Sequence, residues 1–265
     1  MTTHPPTGAP ERSVVDRTLS ILAVFDRDNR SLSLSDISRR SGLPVATVHR
    51  IVNKLHTWGA LERGIEGRYS IGLRLWETGT LAPRWSSWAD VAQPHLVALA
   101  GQTSAAAVVM IRDGSESLSV SYVCDDQALA ARWSSPGCRL PLHATAAGLV
   151  LLAHADEHLQ NEICAGPLQR CTVATTTDGA ALLRHLAKVR REGHAVVYNT
   201  LHEGRGGISA PVRNSRGAVV AAVSAVANTT DAFQPRKLVP QVVATAEAIT
   251  QQLRTPGTRL TGIGA

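Results

Sequence analysis

Aromatic residues are scarce in this 265-residue chain: five Trp, three Tyr and two Phe make up 4% of it. A core built with so few rings must be aliphatic, and the hydrophobic 44% is correspondingly rich in Ala, Val and Leu. Cysteine is also sparse. Cys124, Cys138, Cys164 and Cys171 form no C-x-x-C pair, which argues against a disulfide framework and for free thiols in a reducing cytoplasm. No apolar run approaches the ~18 residues that a membrane-spanning helix requires, so no membrane partner is expected. The opening MTTHPPTGAPER lacks the basic-then-apolar order of a secretion signal. Residues 1–12 read as a disordered tail and 255–265 as a flexible one.

Motifs that carry reactions are missing as well. Gly204-Arg205-Gly206-Gly207 lacks the Gly-Lys-Ser/Thr ending of a phosphate loop. No G-x-S-x-G elbow occurs, and no spacing of Ser, His and Asp singles out a triad. His154 and His158 are spaced for one helix face with Cys164 and Cys171 nearby, yet the set fits no familiar zinc pattern. The residues therefore point to no enzyme, no metal site and no cofactor.

What is present points to two domains, the first expectation at this length. The formal charge of +6 suits a polyanionic partner, and its excess is uneven: Glu11 to Leu75 holds eleven Lys or Arg against seven Asp or Glu. In that quarter, Ser13 is a candidate N-cap, and Val15, Leu19, Leu22 and Phe25 recur at helical spacing, with Ile21 and Val24 on the flank. Ser33 followed by Asp36 resembles a capping box, and Gly42 can end that helix in a left-handed conformation. Pro44 opens a third helix. Val48, Ile51, Val52 and Leu55 form its buried stripe; Thr47, Arg50 and Lys54 lie opposite, flanked by Ala46, His49 and Asn53. Strands at Ala60–Arg63 and Arg68–Ile71 around a Gly-bounded tip make a hairpin. A helix-turn-helix followed by such a hairpin is a winged helix (13–74), whose second helix can enter the major groove of DNA. Thr47, His49 and Arg50 are the candidate base readers. Lys54, Arg63 and Arg68, with Arg39 and Arg40 at the end of the second helix, are suited to phosphates.

Residues 75–101 read as a linker, mostly helical, interrupted at Pro83 and Pro94. Trp76, Trp85 and Trp88 there imply a large buried contact, expected with a partner subunit. From Ala105 the pattern turns to strands: Ala106–Ile111 and Leu118–Cys124 as a hairpin, Leu129–Trp133 and Arg139–Leu142 as shorter strands. A very apolar helix over Ala144–His154 follows, then a helix from the Asp178 N-cap to Glu192, closed by Gly193. Strands at Ala195–Tyr198, Ile208–Arg213 and Ala218–Asn228 and a helix over Pro235–Leu253 complete an α+β domain (102–254) with a mainly antiparallel sheet.

The stretches SVVDRTLSIL, SLSLSDISRRSGLPVATVHRIVNKL and GRYSIG, in this order, resemble the IclR family of bacterial transcription regulators. So do RLPLHATAAGLVLLA at Arg139–Ala153, LLRHLAKVRREGHAV at Leu182–Val196 and GGISAPVRNSRGAVVAAVSAV at Gly206–Val226. The resemblance runs from about Ser13 to Leu253, and the later motifs are the more diagnostic. It implies a linker helix that helps dimerise the chain, a GAF-like effector-binding domain, and a pocket at Ala146, Ala147, Val197, Gly207, Ser224 and Val226. A helix N-terminus offers free N–H groups to an anion, the physical reason for such a site at Ala144–Gly148. In members that take small α-keto acids, the counterparts of Val197, Gly207 and Val226 are an acid, a thiol and a hydroxyl. Here they are two apolar side chains and a glycine, which implies a larger or more apolar ligand, aided by His143, Thr145, Arg132 or Trp133.

The reading is a cytoplasmic, dimeric or tetrameric regulator that binds a double-stranded, roughly palindromic operator and responds to a small-molecule effector, a carboxylate or a more apolar metabolite. Repression is expected because it needs only occlusion of the site, with activation as the alternative sign. The rival class is an enzyme or sensor whose helix-turn-helix mediates protein contacts.

Overall fold

The computed structural model describes residues 13–26, 28–81, 83–124, 136–229 and 233–254, the side chains of 83–90 excepted. The two tails, the expected strand Leu129–Trp133 and the side chains of Trp85 and Trp88 lie outside the described residues. The chain divides into two compact units, Met1–Ala82 and Pro83–Ala265.

The first unit contains α1 (Val14–Leu22), α2 (Leu34–Ser41), α3 (Val45–Trp58), β1 (Leu61–Arg63), β2 (Tyr69–Ile71) and α4 (Leu73–Thr80). Local chemistry explains each boundary. Ser13 and Asp16 form a full capping box on α1, and Ser33 and Asp36 form one on α2. Gly42 and Gly59 end α2 and α3 at φ +68° and +88°, where a side chain would be strained. The antiparallel β1–β2 wing gains a third edge from Leu32, which exchanges backbone hydrogen bonds with Tyr69 at 2.8 and 2.9 Å. Ile21, Ile37, Val48, Ile51, Val52, Leu61 and Tyr69 make the core.

The inward face of α1 differs from the expected one. Val15 and Leu19 are 64% and 58% exposed, whereas Ile21 and Val24 are buried. The helix ends at Leu22 and meets α2 and α3 with its last turn and the residues after it, so periodicity in its first turns does not report burial.

The second unit opens with α5 (Pro83–Thr103). Pro83 is its first residue, and Pro94 lies inside it without ending it, contrary to the expected interruptions; the proline removes one N–H from a helix otherwise held by packing. Next come β3 (Ala106–Asp113), β4 (Glu116–Val123), β5 (Arg139–Pro141), a 3-10 turn at Leu142–Ala144, α6 (Ala146–Ala153), α7 (Glu157–Ala165), α8 (Gly179–Glu192), β6 (Ala195–Tyr198), β7 (Arg205–Arg213), β8 (Val219–Asn228) and α9 (Pro235–Arg254). The strands form one antiparallel sheet in the order β5-β4-β3-β8-β7-β6. Alternation along β3, β7 and β8 sends Val109, Ile208, Ala210, Val223 and Ala225 to a face covered by α5 and α9. Val108, Met110 and Ala222 go to the face covered by α6 and α8. This is the α+β, GAF-like arrangement.

α7 was not anticipated, although Asp156 caps it by accepting the Leu159 N–H at 2.9 Å. His154 is the C-cap of α6 and His158 lies on α7. Their four-residue spacing therefore spans a helix break and does not place both rings on one helix face. Among the described residues no group of three or more His, Cys, Asp or Glu is placed to hold a metal ion. No described helix is long and apolar enough to cross a membrane.

Candidate DNA interface and effector cavity

On α3, the buried stripe of Val48, Ile51 and Val52 turns the opposite side outward: Ala46, His49, Arg50, Asn53 and Lys54 are exposed and Thr47 is half-buried. The Asn53 amide nitrogen lies 3.3 Å from His49 Nε2, so these two side chains are organised one turn apart.

The six expected cations divide into two groups. Arg39 donates to Asp36 at 2.7 Å and Arg40 to Asp26 at 3.1 Å. Arg68 donates to the Ser31 carbonyl at 2.8 Å and lies 3.6 Å from Asp36. The Arg63 guanidinium lies 5.7 Å from the centre of the Tyr69 ring. Among the described residues, Arg50 and Lys54 have neither an ion-pair nor a ring partner. Asp36 gathers much of this pairing. The Ser33 hydroxyl and N–H, then Arg39 and Arg68, hold its carboxyl below the usual range, so α2 and the base of the wing share one anchor.

The linker helix begins pressed against this motif. The Gly72 N–H donates to the Ala60 carbonyl at 2.8 Å, and the Leu73 N–H to Glu62 Oε1 at 2.9 Å. A Cβ on Gly72 would fall 2.2 Å from the Gly59 carbonyl oxygen, so only glycine permits this approach.

In the second unit a cavity of about 280 Å³ lies between the first turn of α6 and the sheet. Thr145, Ala146, Ala147, Val197, Gly207, Ser224 and Val226 all line it, as do Val108, Met110, Leu140 and Ala144. Its lip is the loop from Thr200 to Glu203 together with Arg205 and Gly206. Register explains the convergence. Gly207 pairs with both Val197 and Val226, and a Cβ on it would stand 3.5 Å from Ala146 and from Val197. Thr145 caps α6 by accepting the Gly148 N–H at 2.9 Å, leaving the N–H groups of Ala146 and Ala147 in the uncapped first turn.

The hydroxyls on this wall are already engaged. Thr200 Oγ1 donates to the Ala144 carbonyl at 2.7 Å. Ser224 Oγ donates to Ser209 Oγ at 3.0 Å, and Ser209 Oγ donates to the Val223 carbonyl at 2.8 Å. Thr172 and Thr175 fix the lip from behind, donating to the carbonyls of Asn199 and Thr200 at 2.5 and 2.7 Å. His143 is buried, its Nε2 lies 2.9 Å from the Gln169 carbonyl, and it is not among the residues that line the cavity. Its place in the 3-10 turn directs it toward the 166–178 loop. Arg132 and Trp133 lie outside the described residues. The lip was missed because loop residues carry no periodicity; Val108 and Met110 were legible as alternate positions of β3 but gave no sign of which face would stay unfilled.

A winged helix-turn-helix joined to an antiparallel α+β domain with a small-molecule-sized cavity defines a DNA-binding transcription regulator. The comparisons with known proteins agree. The IclR helix-turn-helix domain matches residues 14–64, and the C-terminal domain of bacterial transcriptional regulator IclR matches residues 87–251. The chain belongs to the IclR family. It is 31% identical to the HTH-type transcriptional regulator XynR of Escherichia coli over 79% of this chain and 84% of that protein. With the HTH-type transcriptional repressor AllR of the same species it shares 30% over 79% and 78%. Its fold matches the crystal structure of an IclR homolog from Microbacterium hydrocarbonoxydans complexed with 4-hydroxybenzoate, with a TM-score of 0.83, 33% identity, and coverage of 91% of this chain and 99% of that one.

Proposed function

We propose that the chain is a cytoplasmic, ligand-responsive repressor, without catalytic activity, that works as a homodimer or a pair of dimers on a roughly palindromic operator. One observation carries the ligand response: the 280 Å³ cavity joins the first turn of α6 to an apolar wall. Its size lies at the lower edge of the ~300–1,000 Å³ typical of small-molecule sites. The N–H groups of Ala146 and Ala147 suit a carboxylate, and Val108, Met110, Val197 and Val226 suit a compact apolar body. The related protein that holds 4-hydroxybenzoate makes an organic acid with a ring the first compound to try. In the first unit, Arg50 would read a base edge, with Thr47 and His49 beside it. Lys54, Arg63, Arg68, Arg39 and Arg40 would contact phosphates, the last four after giving up or sharing their present partners. Effector binding would shift the spacing of paired recognition helices, a coupling of typically ~1–3 kcal/mol.

The test is a mobility-shift assay with the DNA upstream of the protein's own gene, with and without 4-hydroxybenzoate. A specific, salt-sensitive complex that the acid weakens supports the reading. Absence of any specific complex would favour a protein-contacting role for the helix-turn-helix.

A further inference from the structure

We infer that Ser209, a buried neighbour of Ser224 on the same face of the sheet but outside the cavity lining, sets the polarity of the hydrogen bond the effector makes at Ser224, so that the effector must carry a hydroxyl or amino donor. This rests on the reading that the cavity holds the effector.

A serine hydroxyl has one proton and two lone pairs. Ser209 is fully buried, directly across from Ser224 in the β7–β8 ladder. Its Oγ stands 2.8 Å from the Val223 carbonyl, an atom that can only accept, so the Ser209 proton is directed there. The Ser224 and Ser209 oxygens are 3.0 Å apart. With the Ser209 proton already placed, Ser224 must donate in that contact. What Ser224 then offers the cavity is a lone pair. The residue is 4% exposed, on the same wall as Val108, Met110 and Val226, and water competes poorly there. A ligand donor satisfies the lone pair. A ligand acceptor faces it lone pair to lone pair, unless both protons swing round and strip the Val223 carbonyl of its side-chain bond.

An anionic end for α6, a compact apolar body and a donor for Ser224 together describe a hydroxy or amino acid of aromatic or branched skeleton. Ser209 acts only through its neighbour and is a specificity-setting residue without ligand contact.

Calorimetric titration of the full-length protein with 4-hydroxybenzoate, 4-fluorobenzoate and 4-formylbenzoate tests the inference, since these share the acid and ring but present a donor, a near-isostere without one, and an acceptor. The wild type should favour the hydroxyl by roughly tenfold. Ser209→Ala frees the Ser224 proton and should shift preference toward the formyl compound, a change that mere loss of packing would not produce. Ser224→Ala should bind the three alike, and decides the matter should Ser209→Ala not fold. Equal wild-type affinities, a folded Ser209→Ala protein with unchanged order, or a Ser224→Ala protein that still prefers the hydroxyl overturns the inference while leaving the cavity as a ligand site. Failure of all three compounds to bind overturns both.

Discussion

The guanidinium of Arg74 lies 4.6 Å from the centre of the Trp58 ring and donates to the Trp58 carbonyl at 3.2 Å. Trp58 is the last residue of the recognition helix, and Arg74 belongs to the first turn of the linker helix. With the Gly72 and Glu62 contacts beside it, this stacking makes the end of α3, the base of the wing and the start of α4 one body.

A double-mutant cycle on Trp58→Ala and Arg74→Ala should give a coupling of about 0.5–1 kcal/mol, the range of an exposed cation–π pair. Denaturant unfolding measures it. A coupling of zero would mean that the stacking adds nothing to the junction beyond its backbone bonds.

Arg50 and Lys54 should separate in their effects on DNA. Arg50→Ala is expected to weaken operator binding by ~1–3 kcal/mol and relax one base position, while Lys54→Ala lowers the salt slope by about one. Anisotropy titrations across salt and a set of single-base operator variants read both. Uniform weakening on every sequence would remove Arg50 from base reading.

His154 predicts a pH dependence. Burial, opposed by a hydrogen bond to the Val150 carbonyl and reinforced by Arg213 and Arg190, holds its pKa below 6.5. With Nδ1 2.9 Å from the Val150 carbonyl and Nε2 3.4 Å from Arg213, the ring is held neutral with its proton on Nδ1. The unfolded chain binds this proton more readily, so the stabilising contribution is whole above about 6.5 and falls as pH drops through the lower folded value. The melting temperature between pH 7.5 and 5 should fall more for the wild type than for His154→Asn.

Gly148→Ala should destabilise the second unit by about 1–3 kcal/mol, the usual cost of overpacking. Its Cβ would fall 2.3 Å from the Leu142 carbonyl oxygen, backbone that cannot swing aside. Thermal denaturation tests it, and a change within a few tenths of a kcal/mol would show that the 3-10 turn yields freely.

Much of the architecture could be read from the chain because its signals are local. Ser33 and Asp36, Gly42, Gly59, Asp178 and Gly193 act on backbone three or four residues away, and each starts or stops the helix expected of it. The segments Ile208–Arg213 and Ala218–Asn228, joined across a Gly-containing turn, likewise fall on β7 and β8, with β7 starting three residues earlier and β8 one residue later than expected. Asp156 carries the same kind of local signal for α7. Local signals, however, carry no information about what stands opposite. That Val15 and Leu19 face outward, that Arg68 turns back to Ser31, that His143 turns to the Gln169 carbonyl, and that the loop from Thr200 to Glu203 borders the cavity are outcomes of packing between distant segments. The sequence by itself determined the winged helix, the order of most other elements and the exposed side of α3, since periodicity and caps are properties of neighbours. Only the tertiary structure decided which arginines are already paired and where the cavity lies. It also decided which way the Ser209–Ser224 hydroxyls point, because burial and hydrogen-bond direction depend on atoms that the fold alone brings together.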